Sequence, residues 1–216
     1  SANPETVHRR RVALAGVLLL AAAVQAAPPP AVSADGRWRL VADGAALTVF
    51  DMQGQPVRRH AAPAVSALHD AAPRRSFIVV FEALPERWEI AYDPDAEPIY
   101  QGLVHDYRMR EGIAEPGFLN LRRTRLDAPL REPGFDSSHA FIIARAPDRS
   151  DGRAVLVLVQ LDVRRAIGSF VVDGDPDTAA ARRLRLDGRE ILEVPDRRGG
   201  PALRIDARAA RLLGPP

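Results

Sequence analysis

Histidine and arginine are the side chains of this 216-residue chain best suited to hold a ligand. Cysteine is absent, and all thirty basic side chains are Arg because the sequence contains no Lys. These counts exclude disulfides, thiolate metal sites, cysteine nucleophiles and Schiff-base lysines. A metal site must therefore draw on carboxylates or on the five histidines His8, His60, His69, His105 and His139.

His139 is the strongest metal-ligand candidate, because it follows two serines and opens an apolar strand. The alternative is a histidine that is hydrogen-bonded within its own sheet. His69 ends a short apolar run and is a second candidate, unless its imidazole donates to Asp70 or to a neighbouring carbonyl. His60 lies in a basic turn and is expected to be solvated.

The segment 103–134 is too long and too polar for a routine hairpin, and we interpret it as an insertion. Binding residues are often found in such loops on a β scaffold. A planar guanidinium matches carboxylates or phosphates, although these arginines also have acidic neighbours within the loop as alternative partners. The candidate ligand-binding residues of this segment are His105, Tyr107, Arg108 and Arg122.

No catalytic residue is predicted. Ser137 and Ser138 precede His139, a combination that occurs in hydrolases. Adjacent residues of a strand face opposite sides of the sheet, however, and the sequence contains no Gly-x-Ser-x-Gly elbow. The chain is therefore not expected to be a hydrolase, and the residues favour a binding protein over an enzyme.

These side chains must be positioned by β-strands. Runs of four to seven residues rich in Val, Ile, Phe, Trp or Tyr recur between Asp, Gly and Pro residues, and long helical periodicity is absent after the N-terminal segment. Strand-length apolar runs bounded by turn residues predict an all-β protein.

A repeated pattern refines this prediction to a β-propeller. Four alternating strands end in Asp51, Asp93, Asp162 and Asp206, which are 42, 69 and 44 residues apart, and the longer middle interval contains the insertion. A period of about 40–45 residues with several strands per unit is typical of propeller blades. We predict antiparallel sheets in about four blades, either a closed four-bladed ring or a half-propeller. A β-sandwich with accidental Asp spacing is the alternative.

The N-terminal residues resemble an export signal. Three arginines precede thirteen uncharged residues, Val12 to Val24, and small residues then lead to Ala26. An apolar run of this length is too short to span the bilayer, which favours a cleaved signal over a membrane anchor. The predicted organisation is a signal peptide at 1–26, a Pro/Ala-rich linker at 27–34 and a propeller-like domain at 35–216. The predicted location is the periplasm, with membrane contact only through an uncleaved signal.

The charge argues against nucleic acid as a partner. The whole chain carries a formal charge of +2, and residues 1–26, with three Arg and one Glu, account for all of it. The remaining part is therefore neutral with interspersed signs, and it has no basic stripe of the kind that nucleic-acid-binding domains use.

Three segments give the chain a family resemblance. WEIAYDPDAEPIYQGLVHDYRM (residues 88–109), FDSSHAF (residues 135–141) and LDVRRAI (residues 161–167) resemble the cytochrome d1 haem domain of cd1-type nitrite reductases and of relatives that make haem d1. The resemblance covers about residues 65–177. It implies a propeller of about eight blades with haem d1 over its central channel.

Two departures from the family limit what the resemblance implies. The chain has room for about four blades, and Asp177 stands where the family has a histidine at the haem face. Nitrite reductase activity is therefore not expected, because carboxylate is not among the usual axial ligands of haem iron. The sequence also lacks the Cys-x-x-Cys-His motif that attaches a c-type haem.

Two functions follow from the sequence. The first is a periplasmic propeller that binds or handles haem d1 or another tetrapyrrole in denitrification-linked metabolism. His139 or His105 would bind the iron, and Arg108 or Arg122 the propionates. The second is a cofactor-free interaction propeller whose partner is an envelope protein or a second copy of the chain. A fragment of a longer protein is a third reading.

Overall fold

The computed structural model describes residues 27–100 and 114–213. These residues form eighteen β-strands and one short 3-10 turn, Ala72–Arg74. Among them, no helix is long and apolar enough to cross a membrane. The predicted signal peptide at 1–26 lies outside the described residues and stays a prediction.

Sixteen of the strands form four antiparallel sheets of four strands each, which confirms the predicted all-β propeller class. Blade 1 contains β1 (Ala31–Val32), β2 (Trp38–Ala42), β3 (Ala46–Asp51) and β4 (Pro56–Ala61); blade 2 contains β5 (Val65–Ala71), β6 (Ser76–Phe81), β7 (Glu86–Ala91) and β10 (Leu121–Arg125). Blade 3 contains β11 (Arg131–Phe135), β12 (Phe141–Ala146), β13 (Ala154–Gln160) and β14 (Arg165–Val172); blade 4 contains β15 (Arg182–Leu186), β16 (Arg189–Val194), β17 (Leu203–Asp206) and β18 (Arg211–Leu213).

Blade 2 holds the main departure from this plan. Its third strand, β7, pairs with β10, so residues 92–120 form an excursion between the third and fourth strands of one blade. Within this excursion, β8 (Ile99–Tyr100) pairs with β9 (Ala114–Glu115) in a separate two-stranded sheet.

This arrangement corrects the bounds predicted for the insertion. The predicted segment 103–134 contains β10 and most of β11, which are regular strands of blades 2 and 3. Apolar and polar residues do not alternate clearly in β10, because three of its five residues are arginines. Its sequence therefore does not resemble a strand. The predicted linker at 27–34 also contains β1, whose two residues pair with β2.

Packing between neighbouring sheets explains why apolar and polar residues alternate so little along the strands in the middle of the chain. One apolar cluster joins blades 1 and 2, a second joins blades 2 and 3, and a third joins blades 3 and 4. A sheet packed on both faces needs apolar residues at successive positions, and all six residues of β6 are buried. No apolar cluster of the described residues joins blade 4 to blade 1, so the four blades form an arc.

The connections define two edges of this arc. The upper edge carries the turns between the first and second strands, at 33–37, 72–75, 136–140 and 187–188, and the lower edge carries the loops at 43–45, 82–85, 147–153 and 195–202. In each blade the first strand lies at one end of the sheet order. This is the channel-lining position in a propeller.

The four aspartates that mark the repeat lie at the upper edge, either as the last residue of the third strand or two residues after it. Asp51, Asp93 and Asp206 accept backbone N–H groups two to four residues later, at 2.8–3.0 Å. Asp162 instead pairs with Arg74 of the neighbouring blade at 2.5 Å. The strand expected soon after Asp93 is β8, which belongs to the excursion, so only three of the four turns lead directly to a fourth strand.

Candidate functional site

His69 and His139 approach each other at the junction of blades 2 and 3. His69 lies near the upper end of β5, the first strand of blade 2, and His139 lies in the turn between β11 and β12 of blade 3. The Phe135 ring lies beside both imidazoles, with ring centroids 5.0 Å from His69 and 5.1 Å from His139. Two predicted site residues that are 70 positions apart in sequence therefore share one aromatic neighbour.

The turn that carries His139 is held by Asp136. Its carboxylate accepts the backbone N–H of Phe141 at 2.8 Å and that of Ser138 at 3.2 Å. The backbone N–H of His139 donates to the Asp136 carbonyl at 3.2 Å, and His139 adopts a left-handed φ of 52°. Asp and Ser favour such turns because their side chains cap nearby backbone groups. The DSSH segment thus positions the imidazole: Ser138 bonds within the turn, whereas Ser137 donates to Glu190 of blade 4.

His69 and Asp70 face opposite sides of blade 2, as adjacent residues of a strand must. His69 lies on the side toward Phe135, whereas Asp70 accepts the hydroxyl of Tyr92 at 2.7 Å. The predicted alternative, an imidazole that donates to Asp70, is therefore not what the structure contains. Burial raises the pKa of Asp70, and the Tyr92 hydroxyl opposes this shift.

Each of the two imidazoles has a buried nitrogen without a hydrogen-bond partner among the described residues: His69 Nε2 and His139 Nδ1. Most buried polar atoms in proteins are satisfied, so an unsatisfied pair at one place calls for an explanation. An absent ligand is one such explanation.

The protonation state of the pair suits metal binding. Burial lowers the pKa of His69, and the nearby His139 lowers it further. Burial also lowers the pKa of His139, although the carboxylate of Asp136 opposes this shift. Both imidazoles are therefore neutral near pH 7, and neutral imidazole is the form that binds metal ions.

The donor set fits a haem iron better than a free metal ion held by protein alone. Within residues 27–100 and 114–213, no group of three or more His, Asp or Glu side chains is arranged to hold a metal ion. The iron of a tetrapyrrole would need only one or two further ligands from the protein, and histidine is a common one. Among the described histidines, His69 and His139 each have a buried nitrogen that could serve as such a ligand.

The other predicted site residues are distributed differently. Arg122 lies in β10, at the far end of the blade 2 sheet from β5, and donates to the carbonyl of Glu97 at 3.1 Å. It is not brought to the histidine pair. His105, Tyr107 and Arg108 lie outside the described residues. Phe135 is a site residue that the sequence does not single out, because its position as the last residue of β11 gives no signal for it.

Asp177 lies on the other side of the molecule. It precedes β15 at the lower edge, whereas His139 lies on the upper edge. Its carboxylate pairs with Arg197 at 3.1 Å and accepts the backbone N–H of Ala180 at 3.2 Å. The Arg197 guanidinium lowers the pKa of Asp177. Asp177 thus forms part of the lower-edge ion pairs and does not face the histidine pair.

Known proteins share the fold of this chain. No family model matches the sequence, and no curated protein matches it. Among solved structures, the chain is similar to dihydro-heme d1 dehydrogenase NirN in complex with DHE, with 23% identity and a TM-score of 0.64 over 86% of this chain and 36% of that one. It is also similar to apo AztD from Citrobacter koseri, with 12% identity and a TM-score of 0.50 over 86% of this chain and 44% of that one.

These likenesses confirm the predicted resemblance at the level of fold. The chain spans about a third of the NirN chain and less than half of the AztD chain. Its four blades have the β-propeller fold of NirN, a relative of the cd1-type nitrite reductases.

Proposed function

We propose that this chain is part of a propeller that binds haem d1 or a related tetrapyrrole, with His69 and His139 as ligands to the iron. The observation that carries the proposal is the pair of buried imidazole nitrogens without partners, His69 Nε2 and His139 Nδ1, on adjacent blades. Leaving a buried polar atom unsatisfied costs about 1–3 kcal/mol. A bound metal would remove that cost.

Three further features support the proposal. The pKa of each imidazole is lowered, chiefly by burial, which keeps its lone pair available. Phe135 presents an aromatic ring beside both imidazoles, and aromatic side chains commonly line cofactor sites. The similar NirN structure holds the ligand DHE. When bound, the tetrapyrrole would supply the redox chemistry of its iron, and the protein would supply binding and orientation.

The remaining parts of the proposal rest on sequence. Export to the periplasm rests on residues 1–26, and a role in denitrification-linked metabolism rests on the resemblance to the cytochrome d1 haem domain. We propose no nitrite reductase activity for the chain. His105, Tyr107 and Arg108 stay candidates for contacts to the tetrapyrrole and its carboxylates, because arginine binds carboxylates through two parallel N–H groups.

A cofactor-free interaction propeller is the second candidate. It is favoured by the open arc, whose terminal blades expose apolar side chains such as Val32, 51% exposed, and Leu186, 43% exposed. Such residues are consistent with contacts to further blades or to another protein.

Absorbance titration with haem d1, and with haem b for comparison, tests the first candidate. We expect saturable binding with a shifted Soret band, and loss of the ligand-field bands in His139→Ala. His69→Ala should weaken binding at least tenfold, because each histidine supplies one metal bond.

His60→Gln is the matched control. His60 lies in β4, and its Nε2 is 2.9 Å from the carbonyl of Leu119, so this histidine already has a partner elsewhere. Its replacement should leave the spectrum of the complex unchanged. Spectra that are identical in wild type, His69→Ala and His139→Ala, or no binding by the wild type, would support the interaction propeller instead.

A further inference from the structure

A separate cleft lies on the upper edge where blades 2, 3 and 4 meet. Its volume is about 800 Å³, which is within the range of small-molecule sites. Ser138 and Ala140 line it, whereas the His139 ring between them lies against Phe135. The cleft is therefore distinct from the histidine pair. Its charged lining residues are Arg74, Glu89, Asp93, Glu97, Arg122, Asp162 and Arg208.

Most of the carboxylates in this cleft are already engaged. Glu89 is 5% exposed and accepts from Arg74 at 3.1 Å. Asp162 also pairs with Arg74, at 2.5 Å, and Asp93 pairs with Arg75 at 3.0 Å. These contacts neutralise three of the four acidic side chains that line the cleft.

Two guanidiniums that line the cleft, Arg122 and Arg208, form no ion pair with any described carboxylate, and neither does that of the neighbouring residue Arg164. They come from β10 of blade 2, the β13–β14 turn of blade 3 and the β17–β18 turn of blade 4. Arg164 is close enough to Arg122 for their charges to interact: after burial, Arg122 is the main cause that lowers the pKa of Arg164.

The balance of unpaired charge is therefore positive. Arg122 uses one N–H group on the carbonyl of Glu97, and the Glu97 carboxylate is the single acidic lining group without an ion-pair partner in the described residues. Two lining guanidiniums, with Arg164 close to one of them, therefore outnumber the one unpaired carboxylate. Arginines held close together without counter-charges repel one another, and an anion bound between them would remove that repulsion.

We propose that this cleft binds a small multivalent oxyanion, a polycarboxylate or polyphosphate, between Arg122 and Arg208, with Arg164 as a third cation close to Arg122. The planar guanidinium donates two parallel N–H groups to either kind of oxyanion. A monovalent ion would satisfy one of the three arginines, so a ligand with several anionic groups suits the cleft better. This proposal does not depend on tetrapyrrole binding at the histidine pair.

Isothermal titration of the full chain at low ionic strength tests the proposal, with citrate as the polycarboxylate and pyrophosphate as the polyphosphate. We expect saturable binding of at least one probe, weakened about tenfold or more in Arg122→Gln and in Arg208→Gln, because a charged hydrogen bond is lost in each. Arg208 lies in an exposed turn, so its variant should fold even if Arg122→Gln does not.

Arg149→Gln is the control, since Arg149 pairs with Asp151 at 3.2 Å in a loop of the lower edge. Its affinity for the probe should equal that of the wild type. Absence of saturable binding for both probes would overturn the proposal. Equal weakening in Arg149→Gln and Arg208→Gln would also overturn it, because binding would then reflect net charge alone. The relative affinities for citrate and pyrophosphate show whether the cleft prefers a polycarboxylate or a polyphosphate.

Discussion

Two groups of polar side chains are buried between blades 2 and 3, and they differ in how they are satisfied. In the first, Glu89 accepts from Arg74 at 3.1 Å and from the hydroxyl of Ser76 at 2.9 Å, and lies 3.5 Å from the guanidinium of Arg87. In the second, His69 and His139 each keep a buried nitrogen without a partner.

The difference separates a structural role from a binding role. The Glu89 group joins two blades, since Arg74 also reaches Asp162 and Arg87 lies 3.5 Å from the carbonyl of Leu161. Its partners are supplied by the protein itself, apart from Arg87 Nε, which has none among the described residues. In the histidine pair, one buried nitrogen of each ring lacks a partner in the same part of the chain. Satisfied buried polar groups hold a structure together, whereas unsatisfied ones indicate a place where a partner is expected.

Removal of Glu89 is expected to have the largest effect. Glu89→Ala leaves the fully buried Arg87 without its carboxylate, and an uncompensated buried charge costs about 3–5 kcal/mol. We therefore expect the free energy of unfolding in urea to fall by about that amount. Asp127→Ala, at an exposed acidic residue, is the control and should change stability by less than about 0.5 kcal/mol. A fall of less than about 1 kcal/mol in the free energy of unfolding for Glu89→Ala would contradict this, because exposed ion pairs contribute that little.

The pH dependence of stability tests the second group, the histidine pair. Because the folded-state pKa of His69 and of His139 lies below the ordinary value of 6.5, protons bind more tightly to the unfolded chain. Stability is therefore fully present above pH 6.5 and is lost as the pH falls from there toward the lowered pKa values. Each histidine contributes at most about 1.4 kcal/mol per pH unit in this window.

His69→Phe isolates this contribution, because it replaces an unsatisfied imidazole with an apolar ring beside Phe135. We expect the variant to be at least as stable as the wild type at pH 7 and to lose less stability between pH 7 and pH 5 in urea unfolding. The pKa of His60 is also lowered by burial, but His60 remains in both proteins and cancels in the difference. An unchanged pH profile would contradict the protonation state assigned to His69.

The lower edge should give the smallest effect. Asp177→Asn removes one ion pair of Arg197, which keeps Glu132 at 2.8 Å. Both members of the pair are partly exposed, so the loss should stay below about 1 kcal/mol in urea unfolding. Haem binding should not change, because Asp177 and His139 lie on opposite edges. Weaker haem binding in Asp177→Asn would show that the two edges are coupled.

Local patterns in the sequence were sufficient to predict much of the scaffold. Apolar runs of strand length and aspartates at similar intervals predict four units of antiparallel sheet, and four such sheets are present. The predicted bounds of the insertion, 103–134, do not match the excursion in blade 2, which lies between β7 and β10. Strand β10, LRRTR, has its two buried residues, Leu121 and Thr124, three positions apart, so it lacks the alternation of a strand. Its pairing with β7 across 29 intervening residues leaves no local pattern in the sequence.

The residue types available for a site were determined by the sequence alone: no Cys, no Lys and five His. Only the tertiary structure decided which of them meet. His69 and His139 approach because blades 2 and 3 pack through a shared apolar cluster. Arg122 lies elsewhere because β10 is at the other end of its sheet, and Asp177 because it lies in a loop of the lower edge. The physical reason is that strand patterns act over a few residues, whereas proximity in a propeller depends on how whole sheets pack against each other.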